Sequence, residues 1–234
     1  MLNQEQTDFI RKEFEELAKI KYQTLADIAF EDLDFNPFIL MLMHLTSADE
    51  IAEFMISQRV ERSLFTTYGH RIQKIAKVLS QTPKDAGSSE VVMEKDGIVH
   101  HIHMKAGPNT VNKGISTDVN LFLEKTRASD PTARIYLGMT YGKRSRVSGI
   151  IQRYSQVNWL MGREFWEFIT GDPDCARKIF DVACEVAETY RPPGASLTYR
   201  QLKLPKMKEI AQEIRRRYGS EESEMWRNLL EDNV

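Results

Sequence analysis

The residues best suited to chemistry lie between positions 90 and 105. Two β-rich runs flank Asp96-Gly97, a dipeptide that favours a two-residue hairpin turn because both positions adopt positive φ there. Closing the chain at that turn sets Lys95 opposite Ile98, Met93 opposite His100, Val92 opposite His101, Val91 opposite Ile102 and Glu90 opposite His103. Directly opposed residues share a face. Val91, Met93, Ile98, Ile102 and Met104 then form an apolar side for a core. Glu90, Val92, Glu94, Val99, His101, His103 and Lys105 form the other. Two carboxylates, two imidazoles and one ammonium converge there. A carboxylate beside a lysine near a strand end can hold Mg²⁺ and position a water. The metal neutralises charge developing on a phosphate, and the ammonium orients or acidifies the water. The plain alternative is an amphipathic hairpin with a salt-bridged, solvated face.

Lys105 opens a glycine- and asparagine-rich loop, Lys105-Ala-Gly-Pro-Asn-Thr-Val-Asn-Lys113. Its amides, hydroxyl and backbone can reach phosphates or base edges. The phrase Lys-Ala-Gly-Pro-Asn-Thr-x-Asn resembles the loop after the catalytic lysine in type II restriction endonucleases of the PD-(D/E)XK superfamily. Gly162-Arg-Glu-Phe-Trp-Glu-Phe-Ile-Thr-Gly171 is similar to a downstream segment of such enzymes. The likeness covers roughly residues 57–190 and points to PmeII- or TdeIII-like families.

The resemblance implies a site. Glu90 falls on the first acid, a glutamate where aspartate is usual, and Lys105 falls on the lysine. His103 occupies the place of the second acid, which departs from the pattern because Mg²⁺ prefers oxygen. An acid from a preceding helix replaces it in some members, and Glu61 is the candidate. Glu90, Glu61 and the Met104 carbonyl would hold Mg²⁺ or Mn²⁺. His103 would ligate weakly or hydrogen-bond a metal-bound water. Asn109, Thr110, Asn112 and Lys113, with Lys143, Arg144 and Arg146 further on, would contact DNA. The implied activity is sequence-specific, Mg²⁺-dependent hydrolysis of double-stranded DNA by a homodimer that matches the two-fold of its site. A repair or recombination nuclease on the same fold, or a DNA-binding module without catalysis, are the alternatives.

Other signals have ordinary readings beside functional ones. Glu61 sits on a helical stripe of Ile51, Phe54, Gln58, Glu61, Phe65, Tyr68, Ile72, Ile75 and Leu79, where a buried ion pair to an arginine is the rival to metal binding. His100-His-Ile-His103 has no recognisable further ligands for zinc. Trp159, Phe165, Trp166 and Phe168 suit a core better than base stacking. Lys143, Arg144 and Arg146 suit phosphate contact or plain solvation, and arginines 215–217 a solvated helix face.

The elements that must hold these residues read as helices, a hairpin, a helix, a strand and more helices. That order makes an α/β chain with a mixed central sheet flanked by helices, restriction-endonuclease-like. We expect a single domain with a helical part over 1–46, a catalytic core over 47–190 and a second helical part over 191–234. Asn36-Pro37 breaks the first helix. Ser47-Ala-Asp-Glu50 is a capping box that opens the next. Ser116 or Thr117 would cap a helix with Val119, Phe122 and Leu123. Residues 133–139 read as a strand, Asp172-Pro173 as a helix start, and Pro205 to Tyr218 as a basic helix.

The net charge of −2 conceals an asymmetry, with balances of −8 over residues 1–61, +10 over 62–220 and −4 over 221–234. A basic middle suits a polyanion. No apolar run approaches the roughly 20 residues of a membrane span. The start of the chain lacks a basic-then-apolar signal region. Cys175 and Cys184 form no CxxC motif, which excludes a zinc ribbon and a thioredoxin motif. The expected location is cytoplasmic.

Overall fold

The computed structural model describes residues 2–83, 91–108, 113–147, 149, 152 and 158–234. These group into two compact units, one of residues 1–15 and 68–186, the other of residues 16–67 and 187–234.

The first unit is built on a four-stranded sheet in the order β1 (Val91–Lys95), β2 (Ile98–Lys105), β3 (Arg134–Met139), β4 (Asn158–Met161). β1 and β2 are antiparallel, while β2, β3 and β4 run parallel. Asp96 and Gly97 both take positive φ, 54° and 72°, as a two-residue hairpin turn requires. The register is the expected one from Lys95↔Ile98 to Val91↔Ile102. Glu90 lies outside the described residues. β4 is not foreseen in the sequence.

Helices cover both faces, as parallel strands require. α4 (Lys113–Ser129) supplies Val119, Phe122 and Leu123, which pack with Ile135, Leu137 and Met139 of β3. It begins at Lys113 rather than at Ser116 or Thr117. On the other face, α5 (Arg163–Thr170) buries Phe165, Trp166 and Ile169. Phe165 stands so close to Gly138 and Ile102 that a Cβ at Gly138 would lie 2.8 Å from its ring. α6 (Cys175–Thr189) follows Asp172, whose carboxylate accepts from Asp174 N at 3.0 Å and from Lys178 Nζ at 2.6 Å. Trp159, Phe165, Trp166 and Phe168 are buried or half-buried, as core residues should be.

The second unit is helical. Its core joins the end of α1 (Gln4–Asp27), α2 (Pro37–Leu42), the first part of α3 (Ala48–Leu79), α7 (Tyr199–Tyr218) and α8 (Glu222–Asn233). α1 ends at Asp27, so Asn36-Pro37 does not break it as expected; Asn36 accepts from Ile39 N and Pro37 takes the first helical position, so the pair starts α2. The capping box at Ser47 forms: Ser47 Oγ accepts from Glu50 N, and Glu50 Oε2 accepts from Ser47 N. α7 starts under a second capping box, Thr198 with Gln201, six residues ahead of Pro205. Arginines 215, 216 and 217 are paired with Asp49, Glu213 and Glu31.

The inward stripe of α3 needs correction. The buried residues are Ile51, Ala52, Met55, Ile56 and Val60, then Ile72, Ile75, Ala76 and Leu79. Glu61 is exposed, Phe65 is 63% exposed, and Phe54 is only half-buried. The expected stripe follows the two phenylalanines; the helix instead turns its run of aliphatic side chains inward. The buried carboxylate paired with arginine is Glu13 of α1, whose Oε2 accepts from Arg71 at 2.9 Å.

Candidate active site

The parallel strands β2, β3 and β4 end at one edge, where ligands of open α/β sheets gather. Three strand exits are tied together there. Ala106 O accepts from Thr140 N at 3.2 Å and from Thr140 Oγ1 at 2.8 Å. Thr140 O accepts from Trp166 Nε1 at 2.9 Å. Gly162 N donates to Met139 O at 2.8 Å. Gly107 lies flat against Tyr141: a Cβ there would fall 2.2 Å from the ring, so only glycine allows this approach. Lys105, paired in register with Met139, is therefore followed by a fixed exit.

Along β2 the side chains alternate. His100, Ile102 and Met104 are buried on the α5 side, with His100 5.1 Å from the Phe168 ring and 5.8 Å from Tyr136. His101, His103 and Lys105 point to the α4 side and are half-buried. The polar face read from the sequence is thus partly roofed by a helix. Phe122 of α4 stands 5.3 Å from the His103 ring. One turn earlier, Asp118 is near enough for its charge to act on His103.

Burial, reinforced by the Lys105 charge and partly opposed by Asp118, pushes the His103 imidazole down to about 4. It is neutral at pH 7, with lone-pair nitrogen available. Both ring nitrogens are shielded from solvent and have no hydrogen-bond partner among the described residues. Burial likewise lowers His100 and His101.

The other expected site residues are distributed as follows. Met104 pairs in register with Gly138 and buries its side chain. Glu61 belongs to the helical unit; the buried setting inferred for it is incorrect, because it projects from the exposed side of α3. Glu90, Asn109, Thr110 and Asn112 lie outside the described residues, and Lys113 begins α4. Lys143 is exposed. Arg144 grips Glu164 through two bonds of 3.0 and 2.7 Å and donates to Trp159 O at 2.8 Å, fastening the loop after β3 to α5 and β4. Arg146 ends a short 3-10 turn.

Sequence reasoning missed Asp118, although Asp118 and Phe122 share one face of a helix that follows β2. It also missed the Ala106–Thr140 clamp, which depends on pairing between distant strands. Among the described residues no three His, Cys, Asp or Glu side chains group to hold a metal ion. His103 is a poor fit to Mg²⁺, which wants oxygen, and a better fit to a divalent ion that accepts nitrogen.

A mixed sheet with helices on both faces, and a lysine leaving its hairpin strand at the carboxyl edge, is consistent with a PD-(D/E)XK type II restriction endonuclease fold. The family model described as "Type II restriction endonuclease EcoO109I" matches residues 1–188, and the chain belongs to that family. No curated protein matches the chain. Membership implies a nuclease, and the family generally uses divalent metal ions. Among the described residues no helix is long and apolar enough to cross a membrane.

Proposed function

We propose that this chain is a sequence-specific endonuclease that hydrolyses phosphodiester bonds of double-stranded DNA, acting as a cytoplasmic homodimer. The single observation that carries the reading is Lys105 at the end of β2, followed by a clamped Gly107-Pro108 exit, in a chain of a restriction family. Lys105 holds the attacking water and stabilises charge on the phosphate. A divalent ion, Mg²⁺ by resemblance and Mn²⁺ as the substitute, neutralises developing negative charge when bound. Glu90 and the Met104 carbonyl are its proposed ligands. Asn109, Thr110, Asn112 and Lys113 reach DNA from the loop, and Lys143, Arg144 and Arg146 from the exit of β3. Fastened to Glu164, Arg144 also holds Lys143 at that edge.

His103 in the place of an acid favours a second reading, a module that binds DNA without cutting. Incubation with unmethylated bacteriophage DNA and Mg²⁺ or Mn²⁺ separates the readings. Discrete fragments mean restriction, structure-dependent cuts mean a repair nuclease, and retention without cutting means a binding module. Lys105→Ala should abolish fragments while DNA binding persists. Full cleavage by this variant would remove Lys105 from the site.

A further inference from the structure

We propose that an exposed apolar groove between α2 and α8 is the surface through which two copies of this chain pair about a two-fold axis. The inference rests on the homodimer part of the proposed function and names the face that makes the dimer.

The sequence of α2, Pro37-Phe-Ile-Leu-Met-Leu42, holds no polar side chain. A helix that is apolar all round belongs between two surfaces. Pro37 and Leu40 are buried in the helical unit, while Phe38 is 62% exposed, Met41 50% and Leu42 75%. α8 has a similar surplus. Met225 and Leu229, one turn apart, are buried in the core of the unit. Trp226 and Leu230, the next residues round the helix, make a second apolar line, and Leu230 is 43% exposed. α2 and α8 pack together. Phe38, Met41, Leu42, Trp226, Arg227 and Leu230 line one groove of about 510 Å³. Single exposed apolar residues are ordinary, but a contiguous patch on the order of 500 Å² marks an interaction surface.

Size, shape and charge select a second copy as the occupant. Two such patches face to face remove about 1,000 Å² from water, which a specific interface needs as a minimum. A two-fold contact joins a patch to itself, so the patch must carry both ridge and hollow. Phe38 and Leu42, four residues apart on α2, form a ridge beside the groove. Residues 221–234 hold five acids and a single base, Arg227. Arginines 215, 216 and 217 are paired within the unit, whereas Arg227 and Glu231 have no ion-pair partner among the described residues. The two stand one turn apart on α8. Packing α8 antiparallel on its copy sets Arg227 of each chain against Glu231 of the other, so a second copy satisfies both charges twice.

The test is sedimentation equilibrium of the full chain over a concentration series, without DNA or added metal. The wild type should pass from monomer to dimer as concentration rises. Leu42→Glu should weaken the dimer by about tenfold for each copy, about a hundredfold in all. Arg227→Glu and Glu231→Arg should each weaken it as well, because each sets like charges against one another in its own dimer. An equal mixture of these two variants should associate nearly as tightly as the wild type, because the mixed dimer has opposite charges at both contacts. Thermal melts verify that each variant folds; if Leu42→Glu does not, the two charge reversals and their mixture decide. A dimer indifferent to all three substitutions overturns this surface and leaves the homodimer reading standing. A mixture that associates no better than its separate components overturns the two-fold arrangement. A wild type that is monomeric throughout overturns the inference together with the homodimer reading, and assigns the groove to a different protein. The nuclease reading is scored separately, by the Lys105→Ala cleavage assay.

Discussion

Glu13→Ala should be among the most damaging single changes outside the sheet. The Glu13 side chain is 6% exposed and its Oε2 meets Arg71 Nη1 at 2.9 Å, while Arg71 is 21% exposed. Both residues belong to the sheet-containing unit. Truncation removes the carboxylate and leaves the guanidinium in a mostly buried place without it. Breaking a buried pair from one side costs roughly 3–5 kcal/mol. Because Arg71 retains some contact with water, the lower end applies, about 3 kcal/mol. Glu13→Gln keeps an acceptor oxygen and should cost about half as much. Glu13→Leu combined with Arg71→Met replaces both charges by apolar groups and should recover most of the loss. The assay is urea unfolding of the metal-free protein, followed by tryptophan fluorescence, with the midpoint and slope compared across the four proteins. A cost under about 1 kcal/mol for Glu13→Ala, or a double variant no more stable than Glu13→Ala, would refute the view of this contact as a coupled buried pair.

Two further outcomes follow from the charge arrangement. Lys143→Ala should weaken binding to all DNA sequences and reduce the salt slope by about one, whereas Arg144→Ala should also lower the melting temperature because it releases Glu164 and Trp159; filter binding across a salt series checks this, and an unchanged slope for Lys143→Ala would place that residue away from DNA. Burial holds the His100 imidazole below its ordinary value, so the unfolded chain takes up its proton first as pH falls. Stability should therefore be flat above about 6.5 and decline below it. His100→Phe should lessen that decline in urea midpoints measured from pH 7 to pH 5, though not abolish it, since His101 and His103 shift in the same direction; an undiminished slope would contradict this account.

The parts of the fold legible in the sequence are those fixed by local chemistry. Asp96-Gly97 determines a turn, and the turn determines the register of the hairpin and the face on which His103 and Lys105 stand. Ser47 and Glu50 mark the start of α3 because their bonds close within four residues. What escaped reading is decided by distant partners. The strand character of Asn158-Trp-Leu-Met161 comes from pairing with β3. The phase of α3 follows the side chains that its neighbours bury, so Ala52 and Met55 turn inward and Phe65 does not. Pro205 reads as a helix start because proline lacks the N–H that an interior position uses; the Thr198 cap and the buried Ile210, Ala211 and Ile214 sustain α7 through it. At the candidate site, Lys105 and His103 were legible from alternation. Asp118 was not, because its charge acts on His103 only when α4 folds back over β2.

The route from β2 to β3 has a consequence for the order of folding. A two-residue turn joins β1 to β2, so that pairing asks for little loop closure and belongs to the microsecond events of a folding chain. β2 meets β3 only after the chain has passed through all of α4, and the entropy of closing that longer loop is lost before any strand contact returns it. The bonds from Thr140 to Ala106 belong to this later stage. A nascent chain can thus display the histidines and lysine of its hairpin well before the exit behind Lys105 is fixed. The edge at which DNA would be handled is completed late, when sequence-distant strands have found each other.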